Sequence, residues 1–587
     1  MSAKLEAMSK GERLLRMRHS ASHVMAQAVL EIFPMAKWAI GPAIDTGFYY
    51  DFDLPRPLTP EDLEDVARRM QETVRRGDAF AQRFVDKEEA RRIFAGQPYK
   101  IELIDGIADE RVSLYQQGPF LDLCEGPHVE RTDQIGAFKL MSVAGAYWRG
   151  DERRPMLQRI YGALFETQQD LDQHLHQLEE ARRRDHRRLG RELGLFTSAE
   201  EVGAGLPLWL PKGAAVRRIL ETYIVEEERR RGYQHVYTPH LAKVELYQRS
   251  GHWDHYRDSM FPPMVLENEQ LVLRPMNCPH HITIYGAGQH SYRELPVRLA
   301  ELGTMYRYEK SGELAGLSRV RAMTLNDAHI FCRLDQLKDE FLGVLDLIRE
   351  AYRVLGFRDH WYRLSLRDPA DTEKYVQNDA MWDEAERLLH EAMDETDLEY
   401  VDAPGEASFY GPKLDVQVRN ATGRDETVST IQIDFHLPER FGLEYIGADG
   451  QPHRPVIIHR GVISTMERLM AFLIETYAGV FPVWLAPVQA TFIPIADRHL
   501  DYARAAARRF IEAGLRVEVD DGQERMSAKI RNAQLQKVPY MLVCGDREVG
   551  GGALAVRTRG GQDLGPMPAE AVLRRLLEES KPGAEST

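Results

Sequence analysis

YRYEKSGELAGLSRVRAMTLNDAHIFC, residues 306–332, crowds Arg307, Glu309, Arg319 and Arg321 around a glycine-containing turn and ends in a run carrying Asp327 and His329. Arginine forks bind phosphate and carboxylate bidentately, so a strand–turn–strand bearing these residues reads as a device for straightening a triphosphate. On these residues alone, a salt-bridged hairpin is slightly preferred. Working outward, Cys278 in RPMNCPHH and His459 in VIIHRG join His329 as three ligands of the kind that leave a catalytic zinc one open position. Their spacing is too wide to select them from 20 histidines, and Cys278 with His281 is the sole local pair. Arg468, in GVISTMERLMAF, has the periodicity of an ordinary helix arginine.

Toward the N-terminus, residues 12–33 repeat apolar side chains at three- and four-residue intervals and stop at Pro34, which predicts an amphipathic helix with His19 and His23 on one face. The following GPAIDTGFYYDFDLPRP opens in a turn, runs through strand-forming aromatics and closes in proline. A second pair, Cys124 and His128, stands in FLDLCEGPHV. The two pairs read either as a zinc site or as a hydrolytic pocket with Lys100 and Asp122. Leu171, Leu175 and Leu178 predict a connecting helix within residues 166–195, and its basic run ARRRDHRRLGRE reads as a solvated face before it reads as an RNA contact.

The 587 residues exceed the ~250–300 at which one hydrophobic core stops growing, so about three domains are expected. The boundaries expected are an α+β domain at 1–162, a linker helix at 163–195, a large α+β body at 196–482, and a small α/β domain at 483–587, where strands alternate with helices. With 43% hydrophobic and 28% charged residues the composition is that of a soluble chain, and no stretch approaches the ~18 consecutive apolar residues of a membrane span. The opening MSAKLEAMSKGERLL lacks the apolar segment of a secretory signal. Four cysteines spread along the chain speak for reduced or metal-binding thiols and a cytoplasmic location rather than a disulfide framework. A net charge of −15 excludes a general nucleic-acid coat, yet from Val483 onward 15 Lys and Arg meet 14 Asp and Glu, leaving that segment free to approach RNA.

HSASH, DLCEGPHV, PMNCPHH, YRYEKSGELAGLSRVR, DAHIFC, FYGPKLD, STMERL and VPYMLVCGD stand here in one order, and by them the chain, from about residue 12 on, resembles the threonyl-tRNA synthetases. The resemblance implies a class II catalytic domain on an antiparallel sheet, an N-terminal editing domain and a C-terminal anticodon-binding domain. It implies that L-threonine is activated with ATP and Mg²⁺ and transferred to tRNA(Thr), with hydrolysis of mischarged seryl-tRNA, in a cytoplasmic homodimer with Pro239 at its interface. Arg307 is then expected on the α-phosphate, Glu309 at the adenine, Arg321 near the distal phosphates and Arg468 on the nucleotide. Cys278, His329 and His459 become ligands of one Zn²⁺ per subunit. Asp327 meets the threonine hydroxyl, Tyr410 and Gln432 line the pocket with Gln432 also reaching ATP, and His252 helps deprotonate the tRNA ribose. His19, His23, Lys100, Asp122, Cys124 and His128 become the editing residues, although the same pairs hold zinc in the similar alanyl domain. Glu548 and Arg557 match base-reading positions, with Lys529 and Arg531 available for phosphates.

The family's small ubiquitin-like N-terminal domain is expected to be missing, and Leu325, Asn326, Thr465, His280 and Lys537 depart from the common pattern. The same residues admit two rivals: a paralogue that passes threonine to a carrier protein or another acceptor without tRNA, and a regulatory RNA-binding protein that has lost catalysis. The C-terminal domain and the editing domain speak against the first, and Arg307, Arg321, Arg468 and the three ligands against the second.

Overall fold

Ser9 accepts the Glu12 amide at 3.3 Å while the Glu12 carboxylate returns to the Ser9 amide at 3.0 Å; this reciprocal cap starts helix α1 (Lys10–Ile32). Met17, Ala21, Val24, Ala28 and Val29 recur on one face of α1 and form the core of the first unit. The computed structural model describes residues 8–584 apart from 421, 422 and 424; the first seven residues of the stretch read for a signal lie outside them. The chain forms two units that divide between residues 179 and 180.

In the first unit β1 (Gly47–Asp53) leads through α2 (Pro60–Arg76) to an antiparallel meander of β2 (Phe80–Asp86), β3 (Arg111–Gln117) and β4 (Phe120–Leu123), with α3 (Pro98–Gly106) between its first two strands. β5 (Ala137–Tyr147) and β6 (Met156–Phe165) complete a second sheet, in which β6 pairs antiparallel with both β1 and β5. The connecting segment is helical but in two pieces, α4 (Gln168–Arg184) and α5 (His186–Glu192), because Asp185 leaves the helix to accept the Arg187 amide at 2.7 Å. Its arginines pair locally, Arg183 with Glu180 at 2.8 Å and Arg188 with Glu192 at 2.8 Å. His186 reaches Glu475 at 2.7 Å and accepts the Leu317 amide at 3.0 Å, so part of this basic run holds the arginine turn in place. Gly316 must be glycine: its φ is +53°, and a Cβ would stand 2.3 Å from the His186 ring.

The second unit is organised by α6 (Pro211–Arg230) and an eight-stranded sheet of β7 (Gln234–His235), β8 (Val297–Tyr306), β9 (Ala322–Cys332), β10 (His360–Leu366), β11 (Tyr400–Pro404), β12 (Lys413–Arg419), β13 (Asp425–Asp434) and β14 (Val456–Thr465). Its spatial order is β7-β8-β9-β14-β13-β12-β10-β11, antiparallel except at the two edges. Register sets what each face carries: His329 stands opposite His459, which stands opposite Gln432. Side chains alternate along a strand, so Asp327 shares that face with His329, while Asn326 and Ala328 turn to the other. That other face packs on α9 (Leu337–Leu355), whose Phe341, Val344, Ile348 and Tyr352 lie in the main core.

After α10 (Met466–Thr476), a five-stranded sheet places β15 (Ala490–Pro494) parallel to β16 (Val517–Val519) and β17 (Tyr540–Cys544), with β18 (Ala553–Thr558) and β19 (Asp563–Pro568) antiparallel beside them. Helices α11 (Leu500–Glu512), α12 (Met526–Leu535), α13 (Asp546–Gly551) and α14 (Ala569–Glu579) alternate with these strands, the α/β pattern expected of residues 483–587.

Beneath the sheet, Arg460 pairs with Glu228 at 2.6 Å, both side chains 0% exposed, and Asn326 bridges them, donating to Glu228 at 2.8 Å and accepting from Arg460 at 3.3 Å. Removing one member of a buried pair strands the other charge in a low dielectric. Glu228→Ala is expected to cost about 3–5 kcal/mol, read as a lowered urea midpoint, and a Glu228→Leu, Arg460→Met pair should recover most of the loss.

Candidate functional site

A cleft of about 540 Å³ opens on the polar face of the large sheet. His252, Cys278, Arg307, Glu309, Asp327, Tyr410, Gln432, His459 and Arg468 all line it, gathered from the start of short helix α7 (His252–Tyr256), helix α8 (Cys278–Gly286), the central strands and α10. Arg321, expected there too, is turned aside: its guanidinium donates to the Glu309 carbonyl at 3.0 Å and the Ala204 carbonyl at 3.3 Å. Arg319 lines the cleft instead and holds the Glu309 carboxylate at 2.8 Å.

Arg307 and Arg468 make no ion pair to a carboxylate among the described residues. Burial, then the nearby Arg468 charge, pulls Arg307 below the ordinary guanidinium range. Two close cations with no carboxylate in direct ion-pair contact are a site that an anion would stabilise. Thr465 caps α10 by accepting the Arg468 amide at 3.1 Å, which fixes where that arginine starts.

Deeper in, one nitrogen or sulfur from each of Cys278, His329 and His459 lies within 4.8 Å of the other two, and all three residues are buried. The outer ring nitrogens are engaged. His459 Nε2 meets Asp434 at 2.8 Å, and that carboxylate also accepts the His436 and Leu437 amides at 2.8 and 2.9 Å. His329 Nδ1 meets His281 Nδ1 at 2.8 Å. The inner nitrogens, His329 Nε2 and His459 Nδ1, have no partner although buried. Burial pushes the Cys278 thiol well above its usual range, so the thiolate requires a cation beside it. Two orphaned imidazole nitrogens and one thiol suit a tetrahedral zinc with one position open. Beside them Asp327 is held by the Asn277 amide at 3.1 Å, and burial raises its carboxyl.

The first unit has its own cleft of about 640 Å³, lined by His19, His23, Lys100, Asp122 and Cys124. One face of α1 presents both histidines, and the loop after β4 brings Cys124 and His128 within 4.8 Å of them. Cys124 Sγ lies 3.3 Å from His19 Nε2 and 3.2 Å from His128 Nε2. Asp122 pairs with Lys100 at 2.6 Å and accepts from Trp38 at 3.1 Å and from Tyr50. His128 stands behind the lining, fixed by Ser20, whose hydroxyl accepts the Val129 amide at 3.0 Å and meets His128 Nδ1 at 3.1 Å. Ser20, Trp38 and Tyr50 carried no sequence signal of their own, apart from the place of Ser20 inside HSASH. Burial lowers His19, His23 and His128 and raises the Cys124 thiol to about 12.

In the last domain Lys529, expected to be available for phosphates, is instead buried, its ammonium donating to the Asp520 carbonyl at 2.8 Å. Arg531 is exposed. Glu548 caps α13 through the Gly545 amide at 3.0 Å, and Arg557 on β18 pairs with Asp563 at 2.9 Å.

Comparison with known families finds three matches along the chain. The tRNA synthetase class II core domain (G, H, P, S and T) matches residues 264–477, an anticodon binding domain matches 487–579, and the threonyl and alanyl tRNA synthetase second additional domain matches 112–161. The chain is 58% identical over 572 residues to a threonine–tRNA ligase of Anoxybacillus flavithermus, covering 97% of this chain and 89% of that one. It is 55% identical over 583 residues to threonine–tRNA ligase 1 of Bacillus subtilis, covering 98% and 91%. Among solved structures, the RNA binding domain of threonyl-tRNA synthetase from Cryptosporidium parvum superposes with a TM-score of 0.65 at 36% identity, covering 69% of this chain and 99% of that one.

The lowered histidines carry a sign. An unfolded chain takes up protons near the ordinary histidine pKa of about 6.5 that the folded pocket refuses, so stability present above that pH is lost as pH falls below it. The melting temperature is expected to drop between pH 8 and 5.5, and less steeply in the His19→Gln, His128→Gln double variant; equal slopes would contradict this.

Proposed function

The chain belongs to the threonine–tRNA ligases, and from that membership we propose that its two clefts select threonine in succession, the first by ligation and the second by hydrolysis. The family's reaction consumes ATP with Mg²⁺, an amino acid and tRNA, and the editing-type domain supports removal of the wrong product. Selection by ligation is carried by one observation: two orphaned imidazole nitrogens and a buried thiol converge beside Asp327.

Cys278, His329 and His459 would hold Zn²⁺, which when bound supplies a Lewis-acid position for a vicinal amine and hydroxyl. Asp327, locked by Asn277, accepts a hydrogen bond from the substrate hydroxyl. Valine has nearly the volume of threonine, and a pocket judging by shape gains only ~1–3 kcal/mol between them. Leaving the substrate-facing lone pairs of Asp327 unmatched is the stronger penalty, of the kind that gives rejection by ~10⁴. Tyr410, donating to Gln432, closes the side of this pocket.

Activation is attack by the amino acid carboxylate on the α-phosphate, chiefly a matter of alignment and charge neutralisation. Arg307 and Arg468 face the triphosphate, and Glu309, steadied by Arg319, receives the adenine. Arg321 reaches the distal phosphates only by leaving its two carbonyl partners. Burial takes His252 down to about 3 and Ser250 engages its Nδ1 at 2.7 Å, so the ring is a neutral acceptor for the tRNA ribose hydroxyl at transfer.

Serine retains the hydroxyl that Asp327 tests, so the reading needs a second sieve. His19, His23, Lys100, Asp122, Cys124 and His128 are assigned to the terminal adenosine of mischarged tRNA and to its attacking water. Glu548, Arg557 and Arg531 are assigned to the anticodon arm. The assigned spans are 1–162 for editing, 163–195 for the linker, 196–482 for activation and 483–587 for the anticodon.

A homodimer through the segment around Pro239 is supported by apolar exposure there: Tyr237 is 96% exposed, and Leu241, Met264, Val265 and Leu266 lie exposed on one small three-stranded sheet. The four thiols are free, which suits the cytoplasm, and no helix among the described residues is long and apolar enough to cross a membrane.

Cys278→Ser is expected to remove zinc and with it threonine-dependent ATP–pyrophosphate exchange by at least 100-fold; a metal-free variant with full exchange would end the zinc assignment. His19→Ala with Cys124→Ala should leave seryl-tRNA(Thr) unhydrolysed while threonine activation stays at the parent rate, and normal deacylation by that variant would refute the editing assignment.

A further inference from the structure

His329 is the one ligand of the buried triangle whose outer nitrogen meets a second histidine rather than a carboxylate. That second ring, His281, is 0% exposed, and its far nitrogen Nε2 lies 3.2 Å from Glu301. Glu301 is itself fixed from several sides. It accepts the Thr238 amide at 3.0 Å, the Thr238 hydroxyl at 2.8 Å and the Arg274 guanidinium at 3.3 Å. Arg274 in turn donates to the Thr238 carbonyl at 3.2 Å.

Directions follow from the chemistry of each atom. A carboxylate only accepts, so His281 Nε2 carries a proton and donates to Glu301. In neutral His281 the Nδ1 then has a lone pair, and His329 Nδ1 must be the donor across the 2.8 Å contact. A neutral His329 protonated on Nδ1 has its remaining lone pair on Nε2, the nitrogen that points into the triangle without a partner. The charge on Glu301 thus selects the tautomer of His329 two rings away.

We propose that Glu301 and His281 are positioning residues that hold His329 in the tautomer and orientation able to ligate metal. This rests on the assignment of Cys278, His329 and His459 as zinc ligands. Outer partners of ligating histidines change metal affinity by 10–100-fold when lost. Glu301 is also tied to Thr238, the residue next to the exposed Tyr237, so one buried polar path runs from that surface segment to the triangle.

The test is competition for zinc between a chelator and the full-length protein, as wild type, Glu301→Gln and His281→Ala. Zinc affinity should fall 10–100-fold in both variants. Added imidazole should restore it in His281→Ala, where Glu301 still orients the replacement ring, and not in Glu301→Gln, whose amide oxygen is held by the Thr238 amide and Arg274 and so turns its NH2 toward His281. Glu301→Gln preserves side-chain volume, so its result stands even if His281→Ala folds poorly. Wild-type affinity in Glu301→Gln would overturn the proposal alone. A wild-type protein that binds no zinc would overturn the ligand assignment and the proposal with it.

Discussion

A strand in the middle of a sheet offers two faces, and β9 places a different buried polar system on each. Asp327 and His329 turn toward the cleft, whereas Asn326 turns to the Glu228–Arg460 pair on the far side. A slip of one residue would drive His329 into the hydrophobic core and Asn326 into the cleft. Both faces oppose that slip, since Asn326 is hydrogen-bonded below and His329 above. An irregularity of register between Leu325 and Asp327 marks where the strand leaves one regime for the other. Any ligand geometry on β9 therefore depends on this double anchoring.

Seen this way, Asn326 fits its surroundings. Glu228 already balances Arg460, and a carboxylate at position 326 would bury a second negative charge in a place with room for one. Leu325 lines the cleft and packs with Met305, Val320 and Met323, so its contribution is apolar. Thr465 serves as the cap of α10. His280, by contrast, is buried near Tyr247, and nothing in the structure explains why a histidine stands there.

How much of this was legible in the sequence follows from the range of each interaction. The helix of His19 and His23, and the alternation that gives the last domain its α/β form, are local and could be read from spacing. Cys278, His329 and His459 were not selectable by spacing, because only the cross-strand register of β9 and β14 brings two of them together and a helix start brings the third. Family resemblance, not periodicity, singled them out. Charged side chains were least legible. Arg321 and Lys529 look like phosphate contacts in one dimension, but each finds a backbone carbonyl in three. Asp185, one more acid in a charged run, stops a helix and makes two out of one.

The two clefts differ in how their charges are settled, and that difference fits the tasks assigned to them. The large cleft leaves Arg307 and Arg468 without carboxylate partners, so part of its electrostatic field is completed only by an incoming anion. In the small cleft Lys100 is neutralised by Asp122, and burial keeps three imidazoles uncharged and one thiol protonated. Such a pocket has little field to attract a free triphosphate. It can receive the uncharged face of a terminal nucleoside and its ester, and its neutral rings can accept a proton from water. A chain that must both make and break the same kind of ester benefits from this separation: the cations that favour making the adenylate stay out of the pocket where water is to be the nucleophile.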